Sequence, residues 1–493
     1  MTLTNDGAQA EDLKLRVVRS GTAKLVGQAV NFVLRLVFLM IMARLLTPGQ
    51  FGLVAMVTVI TGFYALFTSA GLSSATIQRV SVTHGQISTL FWINMLIGVV
   101  LFVLTLATAP VLVAFYRDQR LTWVTAALAV GFLVNAAGVQ HNAILQRDLR
   151  YVTLTAIEIL AQVMSMAAGI ALAFAGYGYW ALVASSLVGP AVLTLLSWVT
   201  TGWIPGAPRR DSEISSMLHF GGVVTIQSVM VNVAENIDKV LLGRFQGASA
   251  LGSYGRAYQL VTMPMTNLNA AIGWVAFSAL SRIQDDRHRY RSYFLKGYAV
   301  VISLVVPLLV FATVFSADIV RVVLGPQWAQ VAHIFQLLAP AGLVVTLIQG
   351  PTYWLLHSLG SVGRSLQITC VYTAVIVVSC SLGVSHGATG VAAGYSLGLT
   401  LWVLPHLLWC VKGTPVSVGD LLGTLWCPLL GSAAASAVAW AGVRHLDQPL
   451  TRVVLGGAIV GCVYAGVLAM LPRQRDFYLG LSRDLRLMRR AGA

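Results

Sequence analysis

Apolar residues fill this chain in runs of about twenty, parted by short polar stretches from one end to the other. A helix of that length crosses the hydrocarbon of a bilayer, which is about 30 Å thick. The pattern predicts fourteen spans, near 20–45, 51–71, 87–115, 121–146, 152–175, 177–200, 217–242, 258–280, 294–316, 331–358, 366–384, 388–411, 419–442 and 449–471. The first, third, fourth and tenth are long enough to tilt or protrude. No loop between them exceeds about twenty residues, which leaves no room for a folded catalytic domain or a nucleotide-binding loop.

Two polar stripes interrupt this pattern. In the first span Lys24, Gln28, Asn31 and Arg35 recur at the spacing of one helix face. In the seventh, Ser228, Asn232, Glu235 and Lys239 repeat that spacing, with Asp238 adjacent. A second correspondence joins the same two spans. "ARLLTPGQFG" and "GRFQGASALG" match Arg44 to Arg244 and Gly52 to Gly252 at a shift of 200 residues. Spans one and seven open two halves of six, an even number, so the halves are expected to be parallel repeats. The expected fold class is all-α: a polytopic membrane protein of about fourteen transmembrane helices. Two six-helix lobes would be related by a pseudo-two-fold along the membrane normal, with two C-terminal helices added. The segments are then a cytoplasmic 1–19, an N-lobe 20–200, a cytoplasmic linker 201–216, a C-lobe 217–411, two further spans within 412–471 and a basic amphipathic tail 472–493.

Composition agrees. The chain is 57% hydrophobic and 10% charged, with mean hydropathy +0.79, against about 25% charged in soluble domains. The net charge of +15 comes from Lys and Arg in short loops rather than from a basic domain, so nucleic acid is not an expected partner. With both termini inside, the outer segments hold only eight of the 32 Lys and Arg, which predicts cytoplasmic termini. Two inner segments, "SRIQDDRHRYRSYFLK" and the tail "PRQRDFYLGLSRDLRLMRR", interleave arginines with Tyr, Phe and Leu and are expected to lie on an anionic leaflet. The five cysteines fall in apolar spans with no CxxC pair, so neither disulfides nor a metal are expected, and no cofactor. The first twenty residues are polar, so no cleaved leader is expected.

Charged groups facing lipid are costly, so the stripes should face the opposite lobe or a water-filled central cavity. That makes Lys24, Gln28, Asn31, Arg35, Asn232 and Lys239 candidates for binding a polar substrate. Glu235, Asp238 and Glu158, the last in "TAIEILAQV" with no local cation, are candidates for ion coupling, since burial favours the neutral acid. The structural alternative pairs Glu235 with Lys239 one turn away, and Glu158 with Lys24 or Arg35.

"RLLTPGQFGLVAM", "AGLSSATIQR", "YGYWALV", "NIDKVLLGRFQGASALGSYGRAYQLVTMP" and "FSALSRIQDD" together resemble the Wzx-type polysaccharide flippases, in particular the colanic-acid-exporter-like branch. That superfamily also holds the MATE exporters and the MurJ lipid II flippases. The similarity runs from about residue 15 to 415. It implies a V-shaped fold of twelve helices with two appended. The implied function is alternating-access transfer of an undecaprenyl-diphosphate-linked oligosaccharide across a bacterial inner membrane, for polysaccharide biosynthesis. It adds Arg44 and Arg244 to the substrate-binding candidates beside Arg35 and Lys239, and implies a cationic cavity. The spans depart from this, with Lys24, Arg35 and Lys239 against Glu158, Glu235 and Asp238. Implied partners are the lipid-linked substrate, membrane lipids, a polymerase and glycosyltransferases, with the chain a monomer. A MATE-like exporter of cations and a lipid II flippase are the alternatives; a membrane polymerase or ligase would need a large external loop.

Overall fold

The computed structural model describes residues 26–69, 82–208 and 214–470, with the side chains at 69, 214–228, 264 and 266–279 outside the description. All regular elements among the described residues are helical. In chain order they are α1 Val26–Leu45, α2 Pro48–Ser69, α3 His84–Tyr116, α4 Leu121–Arg147, α5 Tyr151–Phe174, α6 Trp180–Thr201, α7 Ile214–Ser281, α8 Arg287–Val314, α9 Ser316–Val323, α10 Ala329–Gln349, α11 Val362–Gly383, α12 Gly387–Val411, α13 Val418–Val443 and α14 Pro449–Met470. Eleven stretches among the described residues are long and apolar enough to cross a membrane, and one of them, Val362–Val411, contains both α11 and α12. The chain is an all-α, multi-pass membrane protein.

α7 breaks at Gly247, whose φ of 81° and ψ of −179° suit glycine and almost nothing else. The halves before and after it are called α7a and α7b. Elsewhere short polar caps turn the chain between spans. The Thr83 hydroxyl and the Gln86 side chain satisfy each other's backbone N–H at the start of α3, and Ser417 with Asp420 does the same for α13.

The chain divides between Gly255 and Arg256 into two compact units. In the first, α3 packs on α4, α6 packs on both α4 and α5, and α2 lies against α3 and α4. The segment after α6 is strapped across α3 and α4. Trp92 Nε1 donates to Gly206 O at 2.8 Å, Gly206 N–H donates to Ser88 Oγ at 2.9 Å, and His141 Nε2 lies 3.2 Å from Trp203 O. His141 also stacks on Trp198, with centroids 4.3 Å apart. At the α3–α4 turn Arg120 bonds Asp118 at 2.7 Å and holds its carboxyl below the usual range. That contribution exists above the ordinary carboxylate pKa and fades as pH falls below it; in so exposed a pair it is small.

In the second unit α10 packs on α12 and α8, α11 on α12, and α13 on α8 and α14. "SRIQDDRHRYRSYFLK" differs from the surface segment expected. Asp286 caps α8 by accepting from His288 and Arg289 N–H, and Tyr290 and Phe294 are buried in the protein. Only Tyr293 of its aromatics stays exposed, because an i, i+4 pair faces inward while i+3 does not. The two C-terminal helices are pinned near both ends of α8, by Arg291–Asp420 at 2.6 Å and, through α9, by Asp318–Arg452 at 3.0 Å. Between these pins Tyr464 donates to Ser303 O at 3.1 Å, and Phe315 is buried against Ala435, Ala439, Val460 and Tyr464.

Phe315→Ala should therefore loosen α13 and α14 from the unit. In lipid the transfer part of a core truncation largely vanishes, so the expected loss is on the order of 2 kcal/mol rather than the 3–5 typical in water. A lower melting temperature in detergent for Phe315→Ala, with little change for the exposed Phe174→Ala, is the expected result.

Candidate functional site

α1 is exposed on two opposite sides. Val26, Val30, Val33 and Val37 form one exposed stripe, at 63%, 37%, 55% and 41%. Gln28 and Arg35 are exposed and Asn31 is half-buried. At about 100° per residue the polar stripe lies roughly half a turn away from the valines. Lys24, expected to begin the stripe, lies outside the described residues. Arg44 comes nine residues after Arg35, which puts it round on the valine side, exposed near the end of α1. The geometry therefore gathers Gln28, Asn31 and Arg35 and leaves Arg44 apart.

The matching face of α7a is built differently. Glu235 is exposed, while Asn232 and Lys239 are half-buried. Lys239 Nζ donates to Glu235 O and to Asn236 Oδ1, each at 2.8 Å. The ammonium thus closes on its own helix, with the Glu235 and Asp238 carboxyls near enough to interact with its charge. Asp238 lies off the stripe and is fully buried. Its carboxylate accepts from the Lys239 backbone N–H at 2.7 Å and from Tyr254 OH at 2.6 Å. Tyr254 stands on α7b, so this bond ties the two sides of the Gly247 break together. Sequence spacing gave no sign of it: sixteen residues and a chain reversal separate the pair. Arg244 turns away too, with its guanidinium 5.6 Å from the Phe115 ring of α3. Glu158 is half-buried on α5, one turn from Thr155, against which Gly27 of α1 packs. That places it near the crossing of α1 and α5.

The repeat-related glycines meet. A Cβ at Gly52 would overlap the carbonyl of Ala248, and a Cβ at Gly252 would overlap the carbonyl of Pro48, with the Pro48 carbon at 2.7 Å. Since 248 and 48 are themselves 200 residues apart, the contact is reciprocal: each junction offers its glycine to the backbone of the other. No larger side chain permits so close an approach. Of the aromatics able to stack on sugars, Tyr254 and Trp354 are buried, and the Trp92 indole is engaged by Gly206. Among the described residues the chemistry of this unit is that of guanidinium, ammonium, amide and carboxyl groups beside a backbone-on-backbone contact.

Tyr254→Phe should leave the Asp238 carboxylate short of a donor and cost about 1–3 kcal/mol. The expected outcome is a lower melting temperature that Asp238→Asn partly restores in the double variant, because a neutral amide needs the phenol less.

Comparison with known proteins accords with this architecture. The chain is 30% identical over 348 residues to the teichuronic acid biosynthesis protein TuaB of Bacillus subtilis (strain 168), covering 66% of this chain and 72% of that protein. It is 26% identical over 416 residues to the lipopolysaccharide biosynthesis protein WzxC of Escherichia coli (strain K12), covering 83% and 84%. Its fold matches that of the lipid II flippase MurJ in an inward closed conformation, with a TM-score of 0.72 at 11% identity over 92% of this chain and 99% of that one. Residues 41–333 match the family model described as polysaccharide biosynthesis protein, more than half of the chain. The protein therefore belongs to the polysaccharide biosynthesis protein family of multi-pass membrane proteins.

Proposed function

We propose that this protein is a transporter, not a catalyst, and that it flips an oligosaccharide linked to a polyprenyl diphosphate, of the undecaprenyl type, across a bacterial inner membrane for polysaccharide assembly. One observation carries the reading: Arg35 is exposed in mid-span on the side of α1 opposite the exposed valines. A helix with two exposed faces of such different chemistry meets two media. Valines suit acyl chains, whereas an arginine held there would be strongly disfavoured, so the polar face meets water or substrate. A diphosphate cannot enter hydrocarbon unaided. A guanidinium, able to donate two parallel hydrogen bonds, suits it better than an ammonium does.

In this reading Gln28, Asn31 and Arg35, joined by Lys24, line the polar path with Asn232 and Lys239 of α7a. Arg44 and Arg244, near the span ends, act as outlying cations rather than as members of that face. Spans 20–200 and 217–411 form the two lobes, with the termini cytoplasmic, in support of which stands the bias of basic loops. Glu158 and Glu235 are the carboxylates placed to couple an ion gradient. Asp238, buried against Tyr254, is withheld from a cationic substrate, which counts against a MATE-like exporter. The Gly52–Gly252 contact closes the outer mouth, and it must open for the oligosaccharide to leave. The relatives named for teichuronic acid and lipopolysaccharide biosynthesis support this substrate class.

Arg35→Ala and Lys239→Ala should abolish surface polysaccharide while the protein remains inserted at normal level, with Arg35→Lys partly active. Polysaccharide at wild-type level in both alanine variants would defeat the assignment. Gly52→Val and Gly252→Val should each block transport by preventing closure, and a cysteine pair at Pro48 and Ala248 should crosslink only when that mouth is shut.

A further inference from the structure

α12 carries a histidine deep in an apolar span. His406 is 2% exposed, and both of its ring nitrogens are engaged. Trp402, one turn earlier, donates its indole N–H to Nδ1 at 3.1 Å. An indole nitrogen only donates, so Nδ1 holds a lone pair and the ring proton sits on Nε2. Nε2 lies 2.8 Å from Thr352 Oγ1 and therefore donates to it. The Thr352 hydroxyl in turn donates to Ile348 O at 2.7 Å. Three donors and three acceptors form one directed chain from an indole to a backbone carbonyl. Thr352 belongs to a π-helical turn, Gly350–Leu355, that contains Pro351 and follows α10. Such turns are rare and recur at functional positions.

We propose that His406 is a proton-binding site of the second unit, and that its protonation expels the Trp402 indole from the ring. This rests on the reading of the chain as a gradient-coupled transporter. A proton from water adds to Nδ1 and makes the ring an imidazolium carrying one positive charge. Two N–H groups, of Trp402 and His406, then point at each other, so the indole must swing away. Among the described residues no carboxylate contacts the ring. Tyr372 of α11 faces the ring at 6.5 Å between centroids, and Cys410, one turn along α12, lies 3.8 Å from Thr352 Oγ1. Along the same seam His357 bonds Ser365 at 3.1 Å, and Arg364 donates to Lys412 O at 2.5 Å. None of these is a carboxylate. α10 and α13 also touch α12.

An unpaired charge so placed is unfavourable. The Nε2–H stays on Thr352, so the rearrangement falls on the Trp402 side of the ring, where the indole N–H must find another acceptor. When the ring returns to its dry site, loss of hydration drives the same proton from Nδ1 to water and the directed chain reforms. Protonation thus exchanges one hydrogen-bonded state for another at a single atom.

The test uses the full-length protein. His406→Gln preserves the geometry, because the amide oxygen can accept from Trp402 and the amide nitrogen can donate to Thr352, yet it cannot bind a proton. In proteoliposomes loaded with a fluorescent short-chain polyprenyl-diphosphate oligosaccharide, an imposed pH gradient should stimulate the wild type, and the stimulation ratio should fall to about one in His406→Gln. Full stimulation in His406→Gln, or none in the wild type, overturns the proposal. Ring ¹⁵N spectra of histidine-labelled protein in nanodiscs, with His406→Gln to assign the signal, read the site without transport. The Nε2–H tautomer should give way to imidazolium on acidification. Trp402→Phe, which removes the donor to Nδ1, should shift that midpoint upward by roughly half a pH unit or more. A ring that stays neutral throughout, or a midpoint unmoved by Trp402→Phe, refutes the proton site even if the probe is flipped. A probe that no condition moves, with the ring titrating as expected, refutes the flippase reading instead.

Discussion

Hydrocarbon offers no hydrogen-bond partner, and nearly every feature of this molecule follows from that. Backbone groups must be satisfied within each span, hence helices throughout the described residues. The same rule sorts the side chains. Hydroxyls bond carbonyls one turn back, as Thr105 does to Leu101 at 2.6 Å and Thr346 to Gly342 at 2.9 Å. Charged groups are the exceptions the rule cannot absorb so cheaply. They sit in ion pairs at helix ends, as Arg291 with Asp420 does, or stay exposed along a span, apart from Asp238, which is buried on Tyr254. Arg35 belongs to the second class, and it gives the protein its proposed work.

Packing obeys a related constraint. Between helices in lipid, apolar contact gains little, because acyl chains are equally apolar; close backbone approach gains more. The contact between Gly52 and Gly252 is of that kind, carbonyl against Cα on both sides. Apolar side chains around it, Phe51 and Leu251 among them, are buried as well. Regions such as Phe315 with α13 and α14, where side chains interlock, are suited to staying shut.

Polar groups inside the units divide in the same way. Asp238 with Tyr254 and His406 with Trp402 and Thr352 are both buried and both hydrogen-bonded. Tyr254 bonds the Asp238 side chain across a break in the chain. The histidine chain is neutral and directional, and it fails when one proton is added. In a low-dielectric interior the loss of one such bond is energetically large.

Much was legible before any coordinates. Apolar runs fixed the class because bilayer thickness sets a length that few other environments demand, and the 3.6-residue period alone placed Gln28, Asn31 and Arg35 on one face. The shift of 200 residues pointed to Arg44 with Arg244 and Gly52 with Gly252, but a repeat shows only equivalence. That the glycines touch each other depended on how helices cross, whereas nine residues of spacing already turn Arg44 half a turn from Arg35. Asp238 looked like a member of the polar face, since Lys239 is its neighbour in sequence; one residue is 100° of rotation, enough to bury it. Tyr254 and the Trp402–His406–Thr352 chain escaped notice because hydrogen bonds between distant spans leave no period behind. Local pattern thus determined which segments cross the membrane and which faces are polar. Tertiary contact alone decided which polar groups are sealed and which stay available, because a partner's direction is a property of two helices and not of one.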